Sequence, residues 1–330
     1  MGLQKVCPMN TLMPLISVVI PAYNHETYVE EAIRSVMEQD YSPVELIVID
    51  DGSKDSSWGV INSLKDECEK RFVRTVFQTQ ENAGTCITLN RLFNMVEGDF
   101  VYLLASDDAM KPHALSRLHG FLAEHPDYVL AVGDNEIIDS ESRRAFWDRD
   151  KKVVYEESEA AYLTFADMLQ KETKIAFGSD AFGSYSSLYR TNHIPNGYLI
   201  RRSILSNIPP FTKEAPLEDW YLMLQLAKHG KMKFLPEIIF SYRWHATNTV
   251  KQTERMILFT EKTKAYEDKL LLSLPVSSMT EEVQEVCQIG AVYKNGSIKP
   301  FFEWKKRMGP KGRVLELIFF SMFKASLKRN

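Results

Sequence analysis

The sequence predicts an α/β fold in which a mostly parallel sheet is covered by helices on both faces. Short, almost wholly apolar runs alternate with amphipathic stretches four times in the first 108 residues, which is the pattern of repeated βαβ units. Each apolar run ends in polar or acidic turn residues, and ligands of open α/β sheets bind outside the carboxyl ends of the strands. The sequence therefore also predicts a ligand site at that edge.

The predicted elements follow from these patterns in chain order. Apolar runs bounded by turn residues predict strands at 15–20, 44–49, 73–78, 100–104, 128–134, 233–235 and 238–242. Amphipathic periodicity predicts helices at 26–39, 56–70, 82–96, 112–125, 158–169 and 217–229, with further helices in the last 80 residues. Residues 140–183 are otherwise irregular in pattern.

Composition narrows the class of protein. The chain has 330 residues, of which 45% are apolar and 25% charged, the balance of a soluble globular protein. A formal net charge of −4 argues against nucleic acid as a partner. No apolar run approaches the roughly 18 to 20 residues of a membrane-spanning helix. Four scattered cysteines without metal-like spacing favour reduced thiols, so we expect a cytoplasmic protein.

The adjacent carboxylates Asp107 and Asp108, directly after an apolar run, are the sharpest local feature. Hard oxygen ligands of this kind suit Mg²⁺ or Mn²⁺, which often bind one or two carboxylates together with substrate phosphates. Asp at such a position can equally cap a helix N-terminus. The pair alone leaves both interpretations open.

Three further clusters allow a functional and a structural interpretation. Asp50 and Asp51 precede Gly52 and could bind a base or ribose, or form a solvated turn. The segment 218–220 (Glu-Asp-Trp) begins an amphipathic stretch, where acids complement the helix dipole or act as a general base. His245 follows another apolar run and is either a structural histidine or a metal ligand.

Taken together and in order, these motifs resemble the inverting glycosyltransferase family 2, which has the nucleotide-sugar-binding GT-A fold. The resemblance covers about residues 14–250. It rests on residues 17–24 (SVVIPAYN), 45–53 (ELIVIDDGS) with Asp55, 82–84 (NAG) with Asn90, Asp107–Asp108, 199–202 (LIRR) and 218–220 (EDW). The first two motifs in tandem are the most specific.

The resemblance implies roles for individual residues. It places the donor nucleotide against Pro21, Ala22, Tyr23, Glu30, Asp51, Asn82, Gly84 and Asp107. It makes Asp108 and His245 the ligands of an Mn²⁺ or Mg²⁺ ion that bridges the diphosphate, and Asp219 the catalytic base. It places Glu218, Trp220, Arg202 and Arg243 on the acceptor or diphosphate side.

The implied reaction moves a hexose from a nucleotide diphosphate sugar, UDP-linked by preference, to an acceptor hydroxyl with inversion. The alternative is a non-catalytic nucleotide-sugar-binding or scaffold protein of the same fold. A nucleotidyltransferase is disfavoured because residues 21–24 offer no Gly-rich phosphate loop. A processive synthase is disfavoured because it would bring transmembrane helices.

We expect a GT-A domain at 14–250, with a nucleotide-binding half at 14–108 and an acceptor and catalytic half at 109–250. A helical C-terminal region would follow at 251–330. Residues 304–330 contain eight basic residues and one acidic residue, and 314–327 is amphipathic. Such a tail favours an anionic membrane surface over simple packing on the domain. We therefore expect a lipid-diphosphate-linked sugar or other glycan as acceptor, at the inner face of the cell membrane, in synthesis of a surface polysaccharide such as O-antigen or capsule.

Overall fold

The structure, a computed structural model, describes residues 13–273. Within this range the strands and helices alternate as predicted over the first hundred residues. The strands are β1 Ile16–Ala22, β2 Val44–Asp50, β3 Arg74–Thr79, β4 Phe100–Leu103, β5 Ala109–Met110, β6 Tyr128–Ile138, β7 Arg144–Trp147, β8 Val153–Val154, β9 Tyr198–Arg201 and β10 Lys231–Arg243. The helices are α1 Val29–Met37, α2 Ser57–Ser63, α3 Lys65–Arg71, α4 Thr85–Met95, α5 Ala114–Glu124, α6 Phe165–Thr173, α7 Tyr185–Arg190, α8 Arg202–Leu205, α9 Glu218–Leu226 and α10 Thr253–Ser273.

The strands form one mixed sheet with the order β3-β2-β1-β4-β9-β6-β10-β5. The first four run parallel, as do β6 and β10. Strand β9 lies antiparallel between β4 and β6, so β1, β4, β6 and β10 all point the same way. Their carboxyl ends therefore meet at one edge of the sheet, as the sequence predicts.

Helices cover both faces of this sheet because alternate strand residues are buried on opposite sides. In β1, Val18 and Ile20 contribute to a core with α1, α2, α3 and α5, whereas Val19 contributes to a second core with α4, α7, α9 and α10. Leu46 and Ile47 of β2 divide in the same way. This two-sided burial explains why the strands are almost wholly apolar.

The structure corrects several predicted elements. The two strands expected at 233–235 and 238–242 are one strand, β10, whose register shifts between Phe234 and Ile238 mark an irregularity rather than an end. The helix expected at 158–169 begins later, at Phe165, because the Thr164 hydroxyl caps it by accepting from the Asp167 N–H at 3.1 Å. The helix expected at 56–70 is two helices, α2 and α3.

Helix α10 packs on the body of the domain. The Thr263 hydroxyl accepts from the Leu217 N–H at 3.0 Å, and the buried Glu267 accepts from Gln225 at 2.7 Å. Within residues 13–273 no helix combines the length and apolarity needed to cross a bilayer. The predicted basic tail lies outside the described residues, and the predicted domain boundaries stay predictions.

Candidate active site

A cleft of about 570 Å³ lies at the sheet edge where β1, β2, β4 and β10 end. It brings together residues that are far apart in the sequence but follow neighbouring strands. The predicted site residues on its wall are Pro21, Ala22, Tyr23, Asp51, Asp107, Asp108, Glu218 and Asp219. Three predicted clusters, at the ends of β2, β4 and the start of α9, therefore share one cavity.

One end of the cleft is built from the loops that follow β1 and β2. The Asn24 N–H donates to the Ser53 hydroxyl at 2.9 Å, and the Lys54 N–H donates to the Asn24 side-chain oxygen at 2.8 Å. Gly52 has φ +70° and a Cβ there would meet the Asn82 nitrogen at 2.7 Å, so only glycine fits. Tyr23 stands on this wall with 41% of its surface exposed.

Asp51 organises the same end through three donors. Its Oδ1 accepts from the Ala83 N–H at 2.8 Å and the Gln80 amide at 2.6 Å, and its Oδ2 accepts from the Gly84 N–H at 2.9 Å. The Asn82 amide donates to the Asp51 carbonyl oxygen at 3.0 Å. Asn82 and Gly84 therefore hold the Asp51 loop, and neither lies on the wall of the cleft itself.

Two histidines surround the Asp107 carboxylate in the middle of the cleft. The Asp107 Oδ2 lies 2.9 Å from His245 Nε2 and 3.8 Å from His25 Nε2. The other ring nitrogen of each histidine meets a hydroxyl at 2.8 Å, Ser106 for His25 and Thr247 for His245. Such outer contacts orient imidazoles toward a metal, so both Nε2 atoms are aimed at Asp107.

This cluster is chemically fit to hold a divalent metal ion. One ligand atom from each of His25, Asp107 and His245 lies within 4.8 Å of the others. Burial lowers the pKa of His25, which keeps the imidazole neutral and able to coordinate. Burial opposes the charged form of Asp107, but the hydrogen bond from His245 and the electrostatic interaction with the two histidine rings outweigh it and lower the Asp107 pKa. Imidazole suits transition metals better than Mg²⁺.

Asp108, the predicted metal ligand, has a different environment from Asp107. It is 2% exposed and its Oδ1 accepts from the Arg243 backbone N–H at 2.8 Å. Burial, together with the adjacent Asp107 charge, raises the pKa of Asp108 well above its usual range. Asp107, and not Asp108, therefore lies beside the imidazoles, whereas the predicted role of Asp108 as a metal ligand stays a prediction.

Arg243 is a structural residue rather than an open diphosphate contact. Its side chain is fully buried, and its Nε donates to the Asp107 carbonyl oxygen at 2.7 Å. Its two terminal nitrogens contact Ser142 at 2.9 Å and Glu31 at 2.6 Å. A guanidinium with all its nitrogens engaged by the protein holds the β4 turn in place, and the predicted ligand role is corrected.

Glu218 and Asp219 form the acidic end of the cleft at the start of α9. Asp219 Oδ1 accepts from the Trp220 N–H at 2.6 Å, and Oδ2 accepts from the Asn192 amide at 3.1 Å. Burial raises the pKa of Asp219. Burial and the neighbouring Asp219 charge raise the pKa of Glu218 to about 7. A carboxyl group with a pKa close to the working pH is suited to accept a proton in catalysis.

Three predicted site residues lie away from the cleft. Glu30 pairs with Arg34 at 2.8 Å on the outer surface of α1. Arg202 follows β9, which runs antiparallel to β4, so it lies at the opposite edge of the sheet and its N–H donates to the Asp99 carbonyl at 3.0 Å. Trp220 is 3% exposed and its indole donates to the Leu188 carbonyl at 2.7 Å. These predictions are corrected.

The structure adds three residues that the sequence patterns did not single out. His25 completes the metal-ligand cluster, Asn192 holds Asp219, and Arg255 lies on the wall beside Glu218. His25 carried a usable signal, because it directly follows the turn that ends β1 at the ligand edge. Asn192 and Arg255 carried none, since only tertiary packing brings them to the cleft.

A comparison with protein families identifies the family of this chain. The model of the family described as "Glycosyl transferase family 2" matches residues 17–190. The chain belongs to glycosyl transferase family 2. The predicted resemblance is thereby confirmed.

Relatives and solved structures support the family and the fold. A putative teichuronic acid biosynthesis glycosyltransferase of Bacillus subtilis, TuaG, is 30% identical over 35% of this chain and 45% of its own length. The S. aureus TarS 1-349 complex with UDP-GlcNAc aligns with a TM-score of 0.51, 17% identity, and 89% and 79% coverage of the two chains. The mannosyltransferase PcManGT of Pyrobaculum calidifontis, in complex with GDP-Man and Mn²⁺, aligns with a TM-score of 0.51 and 15% identity. This alignment covers 96% of this chain and 87% of the PcManGT chain. The fold is the GT-A fold.

The chain matches only part of the length of the first curated relatives. The first three matched relatives are covered over 51%, 31% and 42% of their own lengths. Family membership thus rests on residues 17–190, the segment that contains the Asp51 loop, His25 and Asp107. His245 and Asp219 lie beyond it.

Proposed function

We propose that this chain is a metal-dependent inverting glycosyltransferase that moves a hexose from a UDP-sugar to an acceptor hydroxyl. The observation that carries this proposal is that one cleft is lined by Asp51, by His25 and Asp107 of the cluster that also includes His245, and by Asp219. The proposed nucleotide residues, metal ligands and proton acceptor therefore share one cavity. TarS and PcManGT, which share the fold, were each solved with a nucleotide sugar.

At the proposed donor end, Tyr23 contacts the nucleobase and the Asp51 loop accepts its N–H donors. His25, Asp107 and His245 would hold the metal ion, and their mixed imidazole and carboxylate set favours Mn²⁺ over Mg²⁺. When bound, such an ion neutralises negative charge that develops on the leaving diphosphate. Asp108, held by the Arg243 N–H, supports the position of Asp107.

At the other end, Asp219 is the general base. Its carboxylate takes the proton of the acceptor hydroxyl as that oxygen attacks the anomeric carbon from the face opposite the diphosphate. One displacement inverts the anomeric configuration, so an α-linked donor yields a β-linked product. The Asn192 amide fixes the orientation of Asp219. General-base assistance of this kind contributes about 10²- to 10⁴-fold in rate.

We further propose that the acceptor is a lipid-linked glycan and that the product serves surface polysaccharide synthesis at the cytoplasmic face of the membrane. The similarity to TuaG, a putative teichuronic acid biosynthesis glycosyltransferase, supports this class of product. The eight basic residues between 304 and 330 support an anionic membrane partner.

The test is release of UDP from a panel of UDP-sugars and GDP-mannose, with Mn²⁺ or with EDTA, followed by NMR of the anomeric proton of any product. We expect one preferred donor, loss of turnover with EDTA and with Asp107→Ala, and an inverted anomer. Nucleotide binding without turnover, for every donor and for lipid-diphosphate acceptors, would instead support the non-catalytic binding protein. A retained anomeric configuration would contradict the mechanism.

A further inference from the structure

A second cavity opens beside the cleft and shares part of its wall. Its volume is about 390 Å³, and Thr85, Glu218, Asp219, Thr249 and Arg255 line both spaces. The proposed nucleotide residues Tyr23 and Asp51 line only the first. A group bound in the second cavity therefore lies next to the proposed base. Gly84, which donates to Asp51, borders this cavity, but Tyr23 and Asp51 themselves do not, so the space is suited to an acceptor.

Three cationic side chains line this second cavity, namely Lys213, Arg255 and Lys262. All three are exposed, and in the part of the chain that the structure describes none of them forms an ion pair. Arg255 is held in place because its guanidinium lies over the Phe259 ring at 4.9 Å. The other charged groups on the wall are Glu218 and Asp219. The charge of Arg255 acts on Glu218 in the direction that lowers its pKa, against the larger effect of burial, whereas Lys213 and Lys262 have no carboxylate partner among the described ion pairs. Three cations against two carboxyl groups on one wall favour an anionic ligand.

The beginning of α4 adds positive potential to the same wall. Gly84, Thr85 and Cys86 line the cavity, and α4 has no acidic residue in its first turn. The Asp51 carboxylate, from outside the helix, accepts from the Gly84 N–H at 2.9 Å. The helix dipole at the following residues, Thr85 and Cys86, attracts anions, phosphate among them. The helix end and the three side chains thus act on the same space.

The remaining wall is apolar. Val250, Met256 and Phe259 face the cavity, and Val250 is 46% exposed. An anion that fits here therefore carries an apolar or sugar-ring portion as well, because a bare inorganic ion would leave this surface uncovered.

We propose that the second cavity is a phosphate subsite for the acceptor, formed by Lys213, Arg255 and Lys262. It binds a phosphate or diphosphate group that the acceptor carries close to its reacting hydroxyl. This inference rests on the proposed function, since it assigns the acceptor chemistry of the same transferase. The phosphate could belong to a lipid diphosphate or to a phosphodiester-linked glycan, and both present the same anionic oxygens to the cations.

The test compares paired acceptors that share one sugar and one alkyl chain, joined either through a glycosidic oxygen or through a diphosphate. For the wild-type chain we expect kcat/KM at least about tenfold higher with the diphosphate-linked acceptor, because one hydrogen bond to a charged group is worth about tenfold in binding. The double variant Lys213→Gln/Lys262→Gln removes that preference and leaves the neutral acceptor unchanged, whereas Lys213→Arg/Lys262→Arg retains it. Lys65→Gln, on the distant helix α3, is the control.

A third acceptor, the same sugar joined through a phosphodiester to a polyol, separates the two sources of the phosphate. Use of both anionic acceptors supports the subsite, and their ratio identifies the source. Equal use of neutral and anionic acceptors by the wild-type chain would overturn the inference. So would a double variant that weakens UDP binding, because the cations would then serve the donor. No transfer to any acceptor would instead overturn the proposed function, and the inference with it.

Discussion

The two acidic pairs of the cleft, Asp107–Asp108 and Glu218–Asp219, have the same chemistry and opposite surroundings. In the first pair, two imidazoles lower the pKa of Asp107 while burial raises that of Asp108. In the second pair, burial raises the pKa of both carboxyl groups. Environments that separate acids in this way assign their roles. Only Asp107 of the first pair is therefore held in its charged form, which suits the proposed metal ion, whereas both carboxyl groups of the second pair suit the proposed exchange of a proton.

The most severe loss of activity is expected from a change in the second pair. Asp219→Asn keeps the shape of the side chain but removes the proton acceptor, and its single amide oxygen can accept from only one of the two donors, the Trp220 N–H and the Asn192 amide. We expect kcat for sugar transfer to fall by about 10²- to 10⁴-fold, with the Kd for UDP unchanged within about twofold. Steady-state kinetics and calorimetry measure the two quantities. A variant that keeps wild-type kcat would assign the base elsewhere, and Glu261→Gln on the surface of α10 is the matched control.

A more moderate loss, of metal affinity, is expected when a residue that orients one of the histidines beside the first pair is changed. Thr247→Val removes the hydroxyl that meets His245 Nδ1 at 2.8 Å, so the imidazole loses its orientation. Loss of such a partner lowers metal affinity by about 10- to 100-fold. Titration of Mn²⁺ measured by its electron paramagnetic resonance signal checks this. Thr260→Val on exposed α10 should have no effect, and equal affinity in the two variants would contradict the site.

The pH dependence of the reaction tests the second acidic pair, Glu218 and Asp219, through a smaller effect on activity. Burial raises the pKa of Asp219, and the pKa of the neighbouring Glu218 is raised to about 7. The proposed base is therefore protonated in acid, and we expect kcat/KM to rise with pH through a limb above the usual range of a free carboxyl group. Glu218→Gln removes a like charge beside Asp219, and the limb moves to lower pH because the remaining carboxylate ionises more easily. A pH–rate profile from about 5 to 9 measures the shift. An unchanged or alkaline-shifted limb would show that the pair is not coupled.

The smallest effect on activity is expected for Arg202, which the sequence analysis assigned, together with Arg243, to the acceptor or diphosphate side. Arg202 lies at the opposite edge of the sheet, so the variant Arg202→Gln should keep kcat and KM within about twofold of the wild-type values. Arg243→Gln removes donors from Glu31, Ser142 and the Asp107 carbonyl, and should lower both activity and thermal stability. Kinetics and a thermal melt distinguish them. Loss of activity in Arg202→Gln with normal melting would restore the predicted acceptor role.

The sequence predicted the first half of the fold better than the second. Strands β1 to β4 are buried on both faces and follow each other in simple βαβ order, so local apolar runs were enough to find them. Strand β10 was divided at 236–237 because its irregularity interrupts the apolar pattern while the pairing with β6 continues. The short strands β7 and β8 depend on tertiary contacts and have no local signal.

The candidate site shows the same difference between residues placed by local pattern and residues placed by tertiary packing. Residues directly after a strand, such as Asp51 and Asp107, were placed correctly at the ligand edge because topology alone puts them there. Arg202 was misplaced because local sequence does not reveal that β9 runs antiparallel. Which carboxylate of the pair meets the histidines depends on how the β4 turn packs against Arg243, and no sequence spacing encodes that.

A calorimetric titration of UDP into the wild-type chain and into Asp107→Asn, with Mn²⁺ or with EDTA, tests the metal-bridged donor site without any acceptor. We predict that Mn²⁺ strengthens wild-type binding and that Asp107→Asn loses this gain while its binding in EDTA is unchanged. UDP binding that is equal with Mn²⁺ and with EDTA in the wild-type chain would contradict a metal-bridged donor site in this cleft.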